Sequence, residues 1–312
     1  MRHGVNLILL DHSELDAAGL ARVTGARAKH IRHVLRASAG DDVRVGVIDG
    51  CRGVGTVQVI EDDAVVMRCV LETDMPPRPP VDLLLAVPRP KVMRRLWAQL
   101  AALGVGQIIL TNAERVERDY FGTHILDEAG YRPLLIEGLQ QARDTRVPQV
   151  SVHKRFKMLV EDELDRLCPD AVRLVAHPGV DGSLLEGRVF RLGRNAGSED
   201  PALHRDPALD GDPALDGDPA LHRDLALDGD PALDGDPARH RDRVHHDRVL
   251  LAIGPEGGWN DFELKLLEAH GFQPIGMGPR PLRSDTACIA LLALVHEAIR
   301  FSGGNRAGAA IF

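Results

Sequence analysis

The sequence is poor in aromatic residues, in cysteine and in long apolar runs. Aromatics make up only 4% of the 312 residues, which argues against a platform that stacks the bases of a single-stranded nucleic acid. The cysteines show neither Cys-x-x-Cys spacing nor a disulfide framework, so we expect reduced structural thiols and no metal site. No apolar run approaches the roughly 18 residues of a membrane span. The N-terminus does not resemble a signal peptide, and we expect a cytoplasmic protein without membrane contact.

Two common phosphate-binding signatures are also missing. A P-loop places Lys-Ser or Lys-Thr after its last glycine, and no glycine-rich segment here does so. A dinucleotide fingerprint requires a third glycine after Gly276 and Gly278, and Pro281 occupies that position. These absences argue against a phosphate-centred cofactor.

The sequence does contain two loops rich in glycine and proline near its C-terminus. Residues 250–259 read LLAIGPEGGW, and residues 275–287 read IGMGPRPLRSDTA. Each loop follows an apolar run and precedes a helical pattern. Because glycine has no Cβ and proline stiffens a turn, such loops can bring bare backbone against a ligand. We expect the two loops to form one pocket.

The part of the chain that carries these loops alternates strand and helix patterns. Apolar runs at 81–87, 172–176 and 249–253 predict buried strands, and the apolar spacing at 92–103 predicts a helix that Gly104 ends. Asn260 with Glu263 predicts a capping box, and Ser284 predicts the cap of the last helix. The alternation indicates a mostly parallel sheet covered by helices, with ligands bound at the carboxyl ends of its strands.

The first 75 residues have a different pattern. Short β-rich runs at 43–48, 53–60 and 64–71 are separated by turns and predict a small β-barrel. A proline-rich linker follows at 76–80. We therefore predict a first domain at 1–75 and a second domain at 81–305.

An acidic low-complexity insertion interrupts the second domain at 190–247. It contains seven hexads that begin at Asp200, with eleven aspartates and four arginines in residues 200–241. These residues account for most of the net charge of −8. One leucine per hexad offers too little apolar surface to offset chain entropy, so we expect disorder. A calcium-binding repeat is the alternative, although the six-residue period does not match known calcium-binding repeats.

The two loops resemble the signature segments of the RsmE-type 16S ribosomal RNA (uracil-N3)-methyltransferases of the SPOUT superfamily. Matches continue upstream at 30–36, 103–105, 141–143, 146–148 and the His177-Pro178 pair. Ala102 and Asp285 depart from the family pattern, since the family usually has glutamate at both positions. The resemblance implies a trefoil-knotted, mostly parallel sheet with helices on both faces, and a PUA-like RNA-binding barrel at the N-terminus. It also implies S-adenosyl-L-methionine as cofactor, a homodimer, and 16S ribosomal RNA within the small ribosomal subunit as partner.

The resemblance also assigns roles to residues. The cofactor would lie against His177, Ile253, Gly254, Pro255, Glu256, Gly257, Gly258, Met277, Gly278, Leu282, Arg283 and Thr286. Arg283 is the strongest catalytic candidate, because a guanidinium beside the uracil would stabilise the oxyanion that forms as N3 loses its proton. A salt bridge from Arg283 to Asp285 or Glu256 is the alternative. Glu256 or Asp285 is a candidate base, and the alternative for both is a stabilising role at a helix N-terminus.

Basic clusters outside the insertion are the candidate RNA contacts. They are Lys29, Arg32 and Arg36 in the first domain, Arg94 and Arg95 in the second, and Arg143 and Arg146 after a further helix. Solvated surface is the alternative for each cluster. A non-catalytic SPOUT-fold RNA-binding protein, or a SPOUT methyltransferase acting on another RNA, stays open as an alternative function.

Overall fold

The computed structural model describes residues 7–178 and 248–302, with side chains described as far as residue 300. The predicted insertion at 190–247 lies outside the described residues. The described residues all belong to one compact unit of the chain. None of their helices is both apolar enough and long enough to span a bilayer.

The N-terminal part forms a five-stranded sheet that curls around its own core. Its strands are β1 (Ile8–Leu10), β2 (Leu20–Thr24), β3 (Asp42–Val47), β4 (Arg52–Ile60) and β5 (Ala64–Leu71), in the order β1-β3-β4-β5-β2. Only the β1–β3 pair is parallel. Side chains from all five strands pack into one apolar cluster with the helix that follows β2. The three predicted strand runs are confirmed, and β1 and β2 add the two edges.

The basic segment after β2 is not one regular helix. Helix α1 (Gly25–Lys29) continues as a π-helical turn at His30–Val34, and Arg36 adopts the left-handed region with φ 52°. Arg27 points inward, where it pairs with Glu14 and donates to the Leu9 carbonyl at 2.8 Å. The widened turn and the inward ion pair therefore decide which cations of this segment reach solvent.

The second part of the chain forms a six-stranded parallel sheet. Its strands are β6 (Val81–Ala86), β7 (Val105–Thr111), β8 (Gln149–His153), β9 (Val172–Ala176), β10 (Val249–Ile253) and β11 (Gln273–Ile275), in the order β11-β9-β10-β6-β7-β8. Every neighbouring pair is parallel. Strands β6, β7 and β10 are buried along their whole length, which explains their continuous apolar runs. The predicted α/β fold class is confirmed.

Helices cover this sheet. They are α2 (Pro90–Ala102), α3 (Glu128–Ala142), α4 (Phe156–Met158), α5 (Leu164–Leu167), α6 (Asp261–Ala269) and α7 (Ser284–Ser302), with a π-helical turn at Leu159–Glu163 and short 3-10 turns at Arg118–Gly122 and His124–Leu126. A further 3-10 turn, His12–Glu14, lies between β1 and β2 of the first sheet. The chain leaves the edge strand β11 and returns to place α7 against α2 and the central strands β10 and β6. This return brings residues 276–283 back over the loop that follows β10.

Local signals fix several helix ends as predicted. Gly104 follows α2 with φ 77°, and Gly271 follows α6 with φ 83°. At the start of α6, Asn260 Oδ1 accepts from the Glu263 amide at 2.8 Å while Glu263 accepts from the Asn260 amide at 2.8 Å. The predicted cap at Ser284 was wrong. Ser284 is the first residue of α7, and its hydroxyl donates to the Gly254 carbonyl at 3.4 Å because the loop after β10 lies within reach.

Residues 144–147 hold the two sheets together. The Thr145 side chain is fully buried, and its Oγ1 donates to the Gly50 carbonyl at 2.6 Å. A Cβ added at Gly46 would lie 2.6 Å from Thr145 Cγ2, so the close approach needs glycine. The Val147 amide also donates to Asp49 Oδ1 at 3.0 Å. The segment between α3 and β8 therefore docks the first sheet onto the second part of the chain.

Candidate active site

A cavity of about 330 Å³ lies at the carboxyl ends of β9, β10 and β11. Its walls are the loop after β10 (residues 254–260, the first loop), the loop after β11 (residues 276–283, the second loop) and the end of β9. These ends meet because β11, β9 and β10 are adjacent and parallel. The prediction that both loops border one pocket is confirmed.

The first loop has glycine at three positions, and a side chain would have a different effect at each. A Cβ at Gly254 would lie 3.0 Å from Trp259 Nε1, and a Cβ at Gly257 would lie 2.8 Å from Arg115 Cδ. Gly258 has φ 74°, which disfavours other residues. The loop therefore folds tightly over its own tryptophan and leaves its backbone exposed to the cavity.

Trp259 closes the inner side of the first loop. The residue is 5% exposed, and its indole Nε1 is buried without a hydrogen-bond partner among the described residues. The ring stacks on Phe156 with centroids 5.2 Å apart. A buried indole N–H without a partner is uncommon, and here it belongs to a side chain that lines the cavity.

The second loop and the end of β9 form the opposite wall. Gly278 has φ 93°, and the neighbouring Met277 and Leu282 side chains remain 40% and 39% exposed. The His177 amide donates to the Ile275 carbonyl at 2.9 Å, while its ring Nδ1 is buried without a described partner. This wall thus combines apolar side chains with one unsatisfied polar atom.

Most of the predicted cofactor residues line the cavity together. They are His177, Ile253, Gly254, Pro255, Glu256, Gly257, Gly258, Met277, Gly278 and Leu282. Arg283, Asp285 and Thr286 do not line it. Glu256 is exposed at the cavity and forms no ion pair or side-chain hydrogen bond with a described residue.

The charged residues at the start of α7 have separate surroundings. Arg283 is exposed, and within the described part of the chain its side chain pairs with neither Asp285 nor Glu256. Asp285 instead uses Oδ2 to accept from Arg95 at 3.0 Å and Oδ1 to accept from the Thr286 amide at 3.0 Å. Within the described residues the alternative salt bridges of Arg283 are therefore not formed, and Asp285 lies in the first turn of α7.

Arg115 is a functional candidate that the sequence analysis missed. Its guanidinium donates to the carbonyl oxygens of Gly257 and Gly258, which fixes the first loop from the side of β7. The residue follows the end of β7 by four positions, so its place at the carboxyl edge of a parallel strand was a signal that could have identified it.

The predicted RNA contacts are spread over the molecule. Lys29, Arg36 and Arg94 are exposed, whereas Arg32 donates to the Asp62 carbonyl and Arg95 is engaged by Asp285. Arg143 adopts φ 57° at the end of α3, and Arg146 contacts the Met75 sulfur at 2.8 Å. The structure does not bring these cations to the cavity. No cluster of three metal-ligating side chains exists among the described residues.

Comparison with known proteins places this geometry in a family. The model of an RNA methyltransferase domain matches residues 76–193 and 225–296, and the model of an RNA methyltransferase PUA domain matches residues 23–67. The first match alone covers more than half of the chain. The chain belongs to the RNA methyltransferase family. The RsmE-type resemblance found in the two loops is thereby confirmed.

Individual relatives agree with this assignment. The ribosomal RNA small subunit methyltransferase E of Treponema pallidum is 26% identical over 293 residues, which cover 93% of this methyltransferase and 90% of the relative. The protein of that name from Synechocystis is 49% identical over a 49-residue segment, which is 16% of each chain.

Solved structures share the fold. The ribosomal RNA small subunit methyltransferase E of Neisseria gonorrhoeae, bound to S-adenosylmethionine, superposes with a TM-score of 0.60 at 16% identity over 94% of this chain and 97% of its own. A Legionella pneumophila protein with S-adenosylmethionine as bound cofactor gives 0.61 at 20% identity over 96% and 98%.

Proposed function

We propose that this methyltransferase transfers a methyl group from S-adenosyl-L-methionine to N3 of a uridine in 16S ribosomal RNA of the small ribosomal subunit. The observation that carries the proposal is the cavity between two glycine-rich loops at the carboxyl edge of the parallel sheet. Membership of the RNA methyltransferase family and the names of the relatives support it. A ribosomal substrate also implies a cytoplasmic enzyme.

The residues of the cavity fit an adenosyl group. Its volume of about 330 Å³ falls within the range of small-molecule sites. The exposed apolar side chains of Met277 and Leu282 would cover a flat ring, and the backbone of Ile253 and Gly254 would bind its edge. The unpartnered His177 Nδ1 and Trp259 Nε1 are polar atoms that a ligand can satisfy.

When bound, S-adenosylmethionine supplies an electrophilic methyl carbon on a positively charged sulfur. The chain must then hold the uracil in line with that carbon and accept the N3 proton. Glu256 is the better placed acceptor, because it lies at the cavity with no described partner, whereas both Asp285 oxygens are engaged. Arg283 would stabilise negative charge on the uracil oxygens once N3 has lost its proton.

We also propose that the enzyme is a homodimer and that the two predicted domains are functional units, the first of which binds RNA. Three apolar side chains remain exposed in this part of the chain: Ile289 on α7 at 38%, and Met277 and Leu282 of the second loop at 40% and 39%. Exposed apolar side chains of this kind can mark an interface with another protein chain. Light scattering of the full chain at several concentrations tests the dimer. A constant monomer mass would contradict it.

The decisive experiment combines binding and transfer. Calorimetry should detect S-adenosylmethionine and its demethylated product on the full chain. Labelled methyl groups should pass to small ribosomal subunits that lack the modification, and reverse transcription of that RNA should stop at the modified uridine because N3 lies on the pairing edge. Absence of cofactor binding by well-folded protein would contradict the proposal.

The alternatives give different outcomes in the same assay. RNA binding without transfer would identify a non-catalytic RNA-binding protein. Transfer to transfer RNA or to large subunits, with none to small subunits, would identify a related enzyme with another substrate.

A further inference from the structure

A second cleft of about 280 Å³ lies beside the cofactor cavity and takes no part in the function described so far. It lies between the segment after β7, the start of α4 and the start of α6. Its polar and aromatic lining includes Asn112, Arg118, Lys157, Asn260, Phe262 and Glu263. The cleft therefore lies at the same carboxyl edge of the sheet as the cavity.

The cleft and the cavity share a wall. Trp259 lines the cavity, and Phe156, on which it stacks, lines the cleft. Arg115 links the two sites, because it follows the cleft residue Glu114 and holds the Gly257 carbonyl. The stacked rings of Trp259 and Phe156 would separate a ligand in the cleft from the proposed cofactor.

Two cations of the cleft are available to a ligand. Arg118 is exposed and forms no hydrogen bond or ion pair with a described residue. Lys157 pairs only with the exposed Glu161, at 3.7 Å, and such surface pairs contribute little. Both cations can therefore bind an anion without breaking a costly interaction.

The carboxylate of Glu263 does not compete for these cations. The side chain is 4% exposed, and its two oxygens accept from the Glu114 amide at 2.7 Å and the Asn260 amide at 2.8 Å. Glu114 is the other acid of the cleft, and it is exposed. Because the Glu263 oxygens are already engaged by backbone amides, the positive charges of Arg118 and Lys157 remain available to a phosphate.

The cleft also offers groups that suit a base. Phe262 is 58% exposed, an uncommon state for an aromatic side chain in a sequence with seven phenylalanines. Asn112 Oδ1 is buried without a hydrogen-bond partner in the described structure. An amide oxygen without a hydrogen-bond donor, in the same cleft as an exposed aromatic ring, is typical of sites that stack and hydrogen-bond a nucleobase.

We propose that this cleft binds one nucleotide of the substrate RNA adjacent to the target uridine. Its phosphate contacts Arg118 and Lys157, and its base packs on Phe262 near Asn112. The inference rests on the proposed function, because it assumes an RNA substrate at the neighbouring cavity. The cations predicted from the sequence lie away from that cavity, and the cleft would supply RNA contacts close to it.

Binding of a fluorescent ten-nucleotide oligouridine to the full chain, measured by anisotropy over a range of salt, tests the proposal. Arg118→Ala and Lys157→Ala should each weaken binding about fivefold to tenfold and reduce the slope of log K against log salt by about 0.7. Phe262→Ala should weaken binding about tenfold without changing that slope, because stacking releases no counterions. Arg118→Lys should keep the slope.

Arg166→Ala is the matched control. Arg166 is also exposed and has no described partner, but it lies on α5 ahead of the amino end of β9. It should leave both affinity and slope unchanged. All variants should keep the wild-type affinity for S-adenosylmethionine, which also shows that they are folded.

The outcomes separate this inference from the proposed function. If the cleft variants match Arg166→Ala while the wild type methylates small subunits, the cleft assignment is wrong and the enzyme assignment stands. If the wild type fails to methylate any RNA but the cleft variants lose oligouridine binding as described, the proposed activity is wrong and the cleft is an RNA site.

Discussion

The Asp285 carboxylate and the Arg95 guanidinium form an ion pair at 3.0 Å that joins the first turn of α7 to α2. The sequence had suggested a catalytic base for Asp285 and an RNA contact for Arg95. Their side chains are 21% and 60% exposed, and an exposed pair of this kind contributes less than about 1 kcal/mol. We infer that the pair positions the second loop, which ends at the same helix.

Substitutions of Asp285 and Arg95 should have small effects on activity, and these effects should not add, because both remove the same ion pair. Asp285→Asn and Arg95→Ala should each lower kcat/KM less than tenfold, and the double variant should be no worse than either single one. Steady-state methyl transfer measures this. A loss above a hundredfold in Asp285→Asn alone would instead restore Asp285 as the base.

Arg283→Ala should reduce kcat by about a hundredfold, because one electrostatic contact made in the transition state is worth roughly that factor. The cofactor affinity should change little, since Arg283 does not line the cavity. Calorimetry with S-adenosylmethionine and single-turnover transfer test the two parts. Lys265→Ala, which removes an exposed cation on α6 outside the cavity, is the control, and an equal effect in both variants would contradict a special role for Arg283.

Gly254→Ala should abolish most cofactor binding. The new Cβ would lie 3.0 Å from Trp259 Nε1, so the indole or the loop, both of which line the cavity, must shift. Gly122→Ala is the control, because no atom lies within 4 Å of a Cβ built there. We expect the affinity for S-adenosylmethionine to be at least tenfold weaker in Gly254→Ala and unchanged in Gly122→Ala. Equal affinities would show that the loop accommodates the added methyl group without loss of cofactor binding, which would contradict the prediction.

The ion pair of Asp82 and Arg248 should be more sensitive to loss of the arginine than to loss of the aspartate charge. Asp82 is 1% exposed and accepts from Arg248 at 2.6 Å, while the Arg248 side chain is 34% exposed. Arg248→Met leaves the buried Asp82 carboxylate without its partner and should lower the free energy of unfolding by about 3–5 kcal/mol. Asp82→Asn leaves a cation that water can reach and should cost only about 1–3 kcal/mol.

Urea unfolding of both variants measures this difference. The nearby Cys168 does not provide a second charge, because burial, followed by the field of Asp82, raises the pKa of its thiol to about 12. An equal or larger loss in Asp82→Asn would contradict the assignment of Asp82 as the buried partner.

His296 predicts a dependence of stability on pH. Burial lowers the pKa of His296 below its ordinary value of 6.5. The unfolded chain therefore binds a proton that the folded chain does not. The free energy of unfolding should fall as pH drops below 6.5 and level off below the lowered pKa of the folded state.

His296→Leu should remove this component. Thermal unfolding between pH 7.5 and pH 5 would measure it, with the exposed His33→Leu as control. A wild-type slope that persists in His296→Leu would assign the effect to other groups.

Several elements were predictable because their signals are local. The runs that became β6, β9 and β10, the Asn260–Glu263 capping box and the end of α2 at Gly104 each depend on residues a few positions apart. Other features depend on contacts that the sequence does not display. Ser284 resembled a cap, but its hydroxyl bonds the Gly254 carbonyl 30 positions away.

The sequence by itself determined six of the eleven described strands (β3, β4, β5, β6, β9 and β10), the glycine positions of both loops and the family resemblance. These depend on backbone preference and burial period, which act over short stretches of chain. Only the tertiary structure decided that Arg115 holds the first loop across 142 positions and that Asp285 pairs with a residue 190 positions away. Such pairings follow from the order of the parallel strands. That order is fixed by how whole faces of the sheet and helices pack, and no local pattern encodes it.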